Sequence, residues 1–229
     1  MKTKYLSVSR DTKTIKGEKY GVLTGILYLT PYNLSGVNLC PFSTDGCRKS
    51  CLYVSGNSMR FPNVNEGRLA KTKSFLENRD LFLNVLIKDI SALRLKALKS
   101  GMKPAVRLNG TSDINWQRLK VSEKTLFEHF PDVHFYDYTK NFFAESLFEN
   151  YHLTYSRSEN TQINSIQEKI NLGKNVSVVF KNIPEVWNGF KVINGDKYDF
   201  RPNDEKGVIV GLKAKANAKK DLTGFVVNC

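Results

Sequence analysis

Apolar residues change their spacing several times along the chain, and each change marks an element. The run Val22-Leu-Thr-Gly-Ile-Leu-Tyr-Leu-Thr30 is β-branched and aromatic and is stopped by Pro31, which predicts a buried first strand. Residues 32–62 then form a loop too long for an ordinary connection, and loops beyond about 15 residues usually carry function or disorder. Over 64–98 the apolar positions recur at three and four spacing, which predicts helix, broken at Asn78-Arg79-Asp80 with Asp80 as cap of the second segment. Leu81, Phe82, Val85, Leu86, Ile90 and Leu93 form its core-facing stripe.

Gly101 ends that helix, and a strand over 103–108 runs into Asn109-Gly-Thr-Ser-Asp113. Helix and strand then alternate: helix 122–130, strand 133–138, helix 142–149, strand 152–155, helix 162–172 and strand 176–180. Such alternation makes right-handed crossovers and a parallel sheet. Beyond Lys181 the helices disappear and three β-rich pieces remain, 190–193, 208–212 and 225–227, with Asn194-Gly195 as a turn signal. The expectation is the α/β class: a single domain over 1–229, folded as a partial, TIM-like α/β barrel with a C-terminal β-rich closing segment.

Composition supports a packed core. Of 229 residues, 41% are apolar and 25% charged, which excludes disordered, collagenous and disulfide-dense chains. Four cysteines are too few for a secreted disulfide scaffold, and Met1-Lys-Thr-Lys-Tyr-Leu lacks the apolar stretch of a signal peptide. No apolar run suits a membrane span, so the expectation is a soluble protein of a reducing cytoplasm, with no membrane partner. The net charge of +13 is uneven: residues 1–100 hold 17 Lys and Arg against 7 Asp and Glu. That field could steer the protein towards nucleic acid or an acidic partner, but no nucleic-acid motif accompanies it.

The strongest local signal is Cys40-Pro-Phe-Ser-Thr-Asp-Gly-Cys47-Arg-Lys-Ser-Cys51, a C-x6-C-x3-C cluster inside the long loop. Thiolates this close in a reducing compartment point to a shared metal. Zinc sites usually pair two C-x2-C or C-x4-C knuckles, and no second pair is present. His129, His134 and His152 fall outside ligand spacing and are read as structural. Iron-sulfur clusters accept irregular spacing, so Cys40, Cys47 and Cys51 are the candidate ligands of one cluster, [4Fe-4S] in kind, with zinc as the alternative. Cys229 is the candidate fourth ligand, because Gly224-Phe-Val-Val-Asn-Cys229 reads as a docking strand that a parallel arrangement would carry to the same edge. A cluster loop after the first strand is also where radical-SAM enzymes hold theirs, but the spacing departs from their C-x3-C-x2-C.

The run Leu39-Cys-Pro to Cys51, with Arg60-Phe-Pro-Asn63, Arg107-Leu-Asn-Gly-Thr-Ser-Asp113, Phe135-Tyr-Asp-Tyr-Thr-Lys140 and Gly211-Leu-Lys-Ala-Lys215, resembles the phage gene product 88 family. The resemblance implies a viral origin and the host cytoplasm, and supplies no reaction.

Strand ends supply the remaining candidates. Asn109, Ser112, Asp113, Asp137, Tyr138, Lys140, Ser156, Arg157, Glu159 and Lys181 follow or close separate strands, and in a parallel α/β fold those positions converge on one edge; the ligand candidates among them are Asn109, Ser112, Asp113, Tyr138, Lys140, Ser156 and Arg157. They are the expected lining of a pocket for a small anionic ligand beside the cluster. The same residue types also cap helices, as Ser122 and Thr161 could. The expected function is a phage-encoded iron-sulfur protein acting in electron transfer or a redox reaction, as an oxidoreductase or a radical-SAM-like enzyme, with a host or phage redox partner. The alternative is a zinc-stapled nucleic-acid-binding protein.

Overall fold

The computed structural model describes residues 4–9, 12–54 and 61–229. A ten-stranded sheet runs β1 (Leu6–Val8), β2 (Val22–Leu27), β3 (Lys103–Arg107), β6 (His134–Thr139), β7 (Tyr151–Ser156), β8 (Val176–Phe180), β11 (Ile209–Lys213), β10 (Phe190–Asn194) and β9 (Val186–Trp187), with β12 (Val226–Val227) attached to β8. All its pairs are parallel except β1 with β2 and β9 with β10. The chain is therefore α/β with a mostly parallel sheet, as the alternation predicts. The predicted first strand is the second, preceded by β1 and by α1 (Thr12–Glu18).

Alternation along each strand sorts the two faces. Leu23, Leu27, Val106, Phe135, Tyr151 and Leu153 face the helix layer and make the main core with α3 (Pro62–Glu77) and α4 (Arg79–Lys99). Helix α4 supplies Phe82, Leu83, Leu86, Ile90, Leu93 and Ala97. Leu81, placed in the stripe by spacing alone, is 57% exposed. The second face is more polar and is covered by the segment 198–204. Phe200 packs there with Val22, Ala105 and Tyr136. Asp199 accepts from the Tyr136 hydroxyl at 3.0 Å and pairs with Arg107 at 3.3 Å, while Arg201 and Asp204 form a fully buried ion pair at 3.2 Å.

Several predicted boundaries are corrected. Asn78, not Asp80, caps α4: its Oδ1 accepts from Leu81 N at 3.0 Å. The helix expected over 122–130 shortens to α5 (Leu126–His129), because β4 (Lys120–Val121) and β5 (Lys124–Thr125) turn back on each other through Ser122 and Glu123, both at positive φ. Thr125 and Glu128 then form a reciprocal cap that starts α5. No helix forms over 142–149. There Asn141 Oδ1 accepts from Phe143 N, and Ser146 Oγ donates to the Phe148 and Tyr151 carbonyls, so side chains take backbone groups that a helix would use. The helix predicted over 162–172 is α6 (Ile163–Asn171). Asn194-Gly195 does open a turn, in which Lys197 N donates to the Asn194 carbonyl at 3.4 Å, but not a hairpin, since β10 and β11 are parallel; Gly195 is required because a Cβ there would fall 2.5 Å from Val210 Cγ1.

The long loop carries its own structure, with α2 (Asp45–Lys49) and a short 3-10 turn at Leu52–Val54. Its part over 55–60, including Arg60 of the quoted motif, lies outside the described residues. Among the described residues no helix is long and apolar enough to cross a membrane.

Candidate functional site

The carboxyl ends of β2, β3, β6 and β7 all reach one edge of the sheet, and the cysteine loop folds over that edge. Helix α2 is only one turn, too short to hold itself, and is fixed from outside. Thr44 caps it, accepting from Cys47 N at 3.4 Å, and Glu159 grips its first turn, accepting from Gly46 N at 2.7 Å and from Thr44 Oγ1 at 2.7 Å. Burial works against the Glu159 charge, but the Thr44 and Gly46 bonds outweigh it and hold the carboxyl below the usual carboxylate range. On the other side α2 rests on 223–225, where a Cβ on Gly46 would strike Thr223 Oγ1 and Phe225 Cβ. That segment is tied in turn by Arg157, whose Nη1 donates to the carbonyls of Gly224 at 2.8 Å and Phe225 at 3.0 Å.

These contacts present three free thiols, Cys40, Cys47 and Cys51, to a cleft of about 240 Å³. Two of the sulfurs accept backbone N–H bonds, Cys40 from Tyr32 at 3.3 Å and Cys51 from Tyr53 at 3.5 Å. Burial pushes the Cys40 thiol up to about 12, and burial likewise raises Cys47 and Cys51. Each of the three also feels another cysteine or a nearby carboxylate as a like charge, while Lys140 opposes the rise at Cys47 and Cys51. A bound cation is what would ionise such thiols at neutral pH. Among the described residues no three His, Cys, Asp or Glu side chains stand at the spacing of a single metal ion.

Of the ligand and metal candidates named from the sequence, all but Arg157 and Cys229 line this cleft, whereas the strand-end residues Asp137, Glu159 and Lys181 do not. Their side chains are used differently. Asn109 is the hub of its turn: Oδ1 accepts from Ser112 Oγ at 2.9 Å, Ile114 N at 3.0 Å and Trp116 Nε1 at 3.0 Å. Asp113 accepts from Lys140 N at 3.0 Å, and burial raises its carboxyl above the usual range. Lys140 Nζ donates to Ser156 Oγ at 2.9 Å and to the Arg157 carbonyl at 3.3 Å, and burial lowers its ammonium. Tyr138 stacks against Arg107, the guanidinium 4.7 Å from the ring centroid. Arg157 ties down the cleft wall, as described above. Cys229 lies exposed beyond β12. Although β12 is parallel to β8, as expected for that strand, the last residue runs past the lining.

Sequence reasoning passed over Arg107 and Ser177 as site residues, and took Glu159 only as a polar residue at the end of its strand. Arg107 ends Lys-Pro-Ala-Val-Arg, and Ser177 is the one polar residue of Val-Ser-Val-Val-Phe, so both could have been found as inward positions at strand ends. Nothing local marks Glu159 as the partner of Gly46.

No curated protein and no solved structure matches the chain. A family model, Gene product 88, matches residues 5–229, and the protein belongs to that phage family.

Proposed function

We propose that this protein carries an iron-sulfur cluster, [4Fe-4S] in kind, on Cys40, Cys47 and Cys51, and works in electron transfer or a redox reaction in the host cytoplasm, served by a host or phage redox partner. The proposal includes a sheet curved as a partial TIM-like barrel, its concave side being the second face. The observation that carries the reading is the convergence of three free thiols on one cleft, two of them accepting backbone N–H bonds. Hydrogen bonds to sulfur favour the thiolate and are one of the means by which a protein sets a cluster's potential. A bound cluster would supply one-electron chemistry. The chain's own groups have separate tasks. Glu159 and Gly46 keep Cys47 in place, Tyr32 and Tyr53 steady the sulfurs of Cys40 and Cys51, and the Lys140 ammonium offsets negative charge that gathers on the thiolates. Cys229, exposed outside the cleft, is left out of the ligand set.

Anaerobic purification followed by iron, zinc and acid-labile sulfide analysis tests the reading. A brown protein with matching iron and sulfide, both lost in Cys47→Ala, is expected. Stoichiometric zinc without sulfide, or iron content unchanged in Cys47→Ala, overturns it.

A further inference from the structure

On the cleft floor the second face of the sheet turns polar at successive strand ends. Arg107 closes β3, Tyr138 belongs to β6 with Lys140 just beyond it, Ser156 closes β7 and Ser177 enters from β8. The Lys140 ammonium hydrogen-bonds to neutral groups, Ser156 Oγ and the Arg157 carbonyl, with the Phe225 ring centroid 4.9 Å away, while the charges of Asp113 and Glu159 act on it from farther off. Among the described residues it makes no ion pair with a carboxylate. An ammonium so held has acceptors but no carboxylate in contact with it, and a buried charge without a contacting partner is costly. Arg107 brings a second cation to the same cleft. Asp199 meets its Nη1 at 3.3 Å, while its Nε is buried with no hydrogen-bond partner. Tyr138 makes no hydrogen bond through its hydroxyl among the described residues.

Apolar lining adjoins them: Val179 and Leu212 follow Ser177 on the same face of β8 and β11, and Phe225 stands beside Lys140. We infer that the cleft binds a small organic anion, its carboxylate or phosphate taken by Lys140 and Arg107 and its apolar body lying on Val179, Leu212 and Phe225. The volume of about 240 Å³ falls just below the range of drug-sized pockets, which limits the ligand to roughly one substituted ring. The inference goes beyond the cluster reading: the anion is taken by Lys140 and Arg107, although Cys40, Cys47 and Cys51 line the same cleft.

Calorimetric titration of the full chain with phenyl phosphate, benzoate and neutral benzyl alcohol tests it. At least one of the two anions is expected to bind, with benzyl alcohol at least about tenfold weaker; the preferred anion identifies the headgroup as phosphate or carboxylate. Lys140→Met should weaken anion binding by about tenfold or more, the usual worth of a charged hydrogen bond. Tyr138→Phe, which keeps the ring under Arg107, should weaken it about threefold. The same titrations on protein with and without reconstituted iron read loss of the cluster and loss of this site separately. If neither anion binds, if the alcohol binds equally well, or if Lys140→Met binds the anion unchanged, the inference is wrong. Should Lys140→Met fail to fold, the anion and alcohol titrations of the wild type, with Tyr138→Phe, decide the matter.

Discussion

Glu159 and Gly46 stand 113 positions apart in the chain and meet through a hydrogen bond of 2.7 Å, from the Gly46 N–H to Glu159 Oε1. Through it the β7–α6 connection holds the first turn of the helix that carries Cys47. The grip depends on the absence of a side chain at position 46, where a Cβ would also come within 2.8 Å of Glu159 Oε2.

Gly46→Ala is therefore expected to lose about 1–3 kcal/mol of stability, the range for overpacking, and Glu159→Gln about 1 kcal/mol, the worth of a helix cap. Urea midpoints read both. Both variants should also bind less iron on reconstitution, and iron loading equal to wild type in Gly46→Ala would show that α2 does not need this seat.

Asn109 lines the cleft, but its side chain is spent on the turn. Asn109→Ala strands the Trp116 indole N–H and the Ile114 amide, both of which donate to its Oδ1 at 3.0 Å. Leaving buried donors unpaired costs about 1–3 kcal/mol each. The variant should unfold at clearly lower urea concentration, with altered Trp fluorescence in the folded state. A change of ligand affinity without a change of midpoint would assign Asn109 to binding instead.

The Arg201 and Asp204 side chains are 1% and 2% exposed. Arg201→Met leaves a buried carboxylate alone and should cost about 3–5 kcal/mol in denaturant unfolding. Replacing both, Arg201→Met with Asp204→Leu, should recover most of that loss. If the double variant is no better than the single one, the pair's value lies in its bonds to neighbours and not in charge compensation.

His152 supplies a pH dependence. Burial, reinforced by Lys174 and Arg201, pulls its imidazole from the ordinary 6.5 down to about 4, and its Nε2 is buried without a hydrogen-bond partner. The folded protein thus binds fewer protons than the unfolded chain between those values. Stability is fully present above pH 6.5 and falls as the pH drops towards about 4, by at most about 3 kcal/mol. His152→Gln should flatten this part of the stability profile. An unchanged slope between pH 6.5 and 4 would place the acid sensitivity elsewhere.

Much of the fold was legible because its strands are long enough to show their pattern. The strand at Val176–Phe180 falls where its β-branched run predicts it, and that at Lys103–Arg107 follows directly on the helix end marked by Gly101. The misses are places where tertiary contacts or single side chains decide. Asn141 and Ser146 divert backbone groups that would have made a helix, and Ser122 and Glu123 adopt positive φ without the glycine that usually announces it. At the site, cysteine spacing and strand-end position are local signals, and they point to Cys40, Cys47, Cys51, Tyr138 and Lys140. The clasp by Glu159 and the seat at 223–225 are long-range pairings with no periodicity to betray them.

That seat has a consequence for the order in which the site can be made. The ribosome produces the three cysteines early and residues 223–227 late, and β12 must pair with Val179 and Phe180 before Phe225 can support α2. At about 5–20 residues per second, the thiols wait roughly 10–35 s for the segment beneath them. Until then a nascent chain has its strands but not its floor for the loop. On the cluster reading, metal loading then follows synthesis, and a ribosome-stalled chain ending before Thr223 should hold no iron.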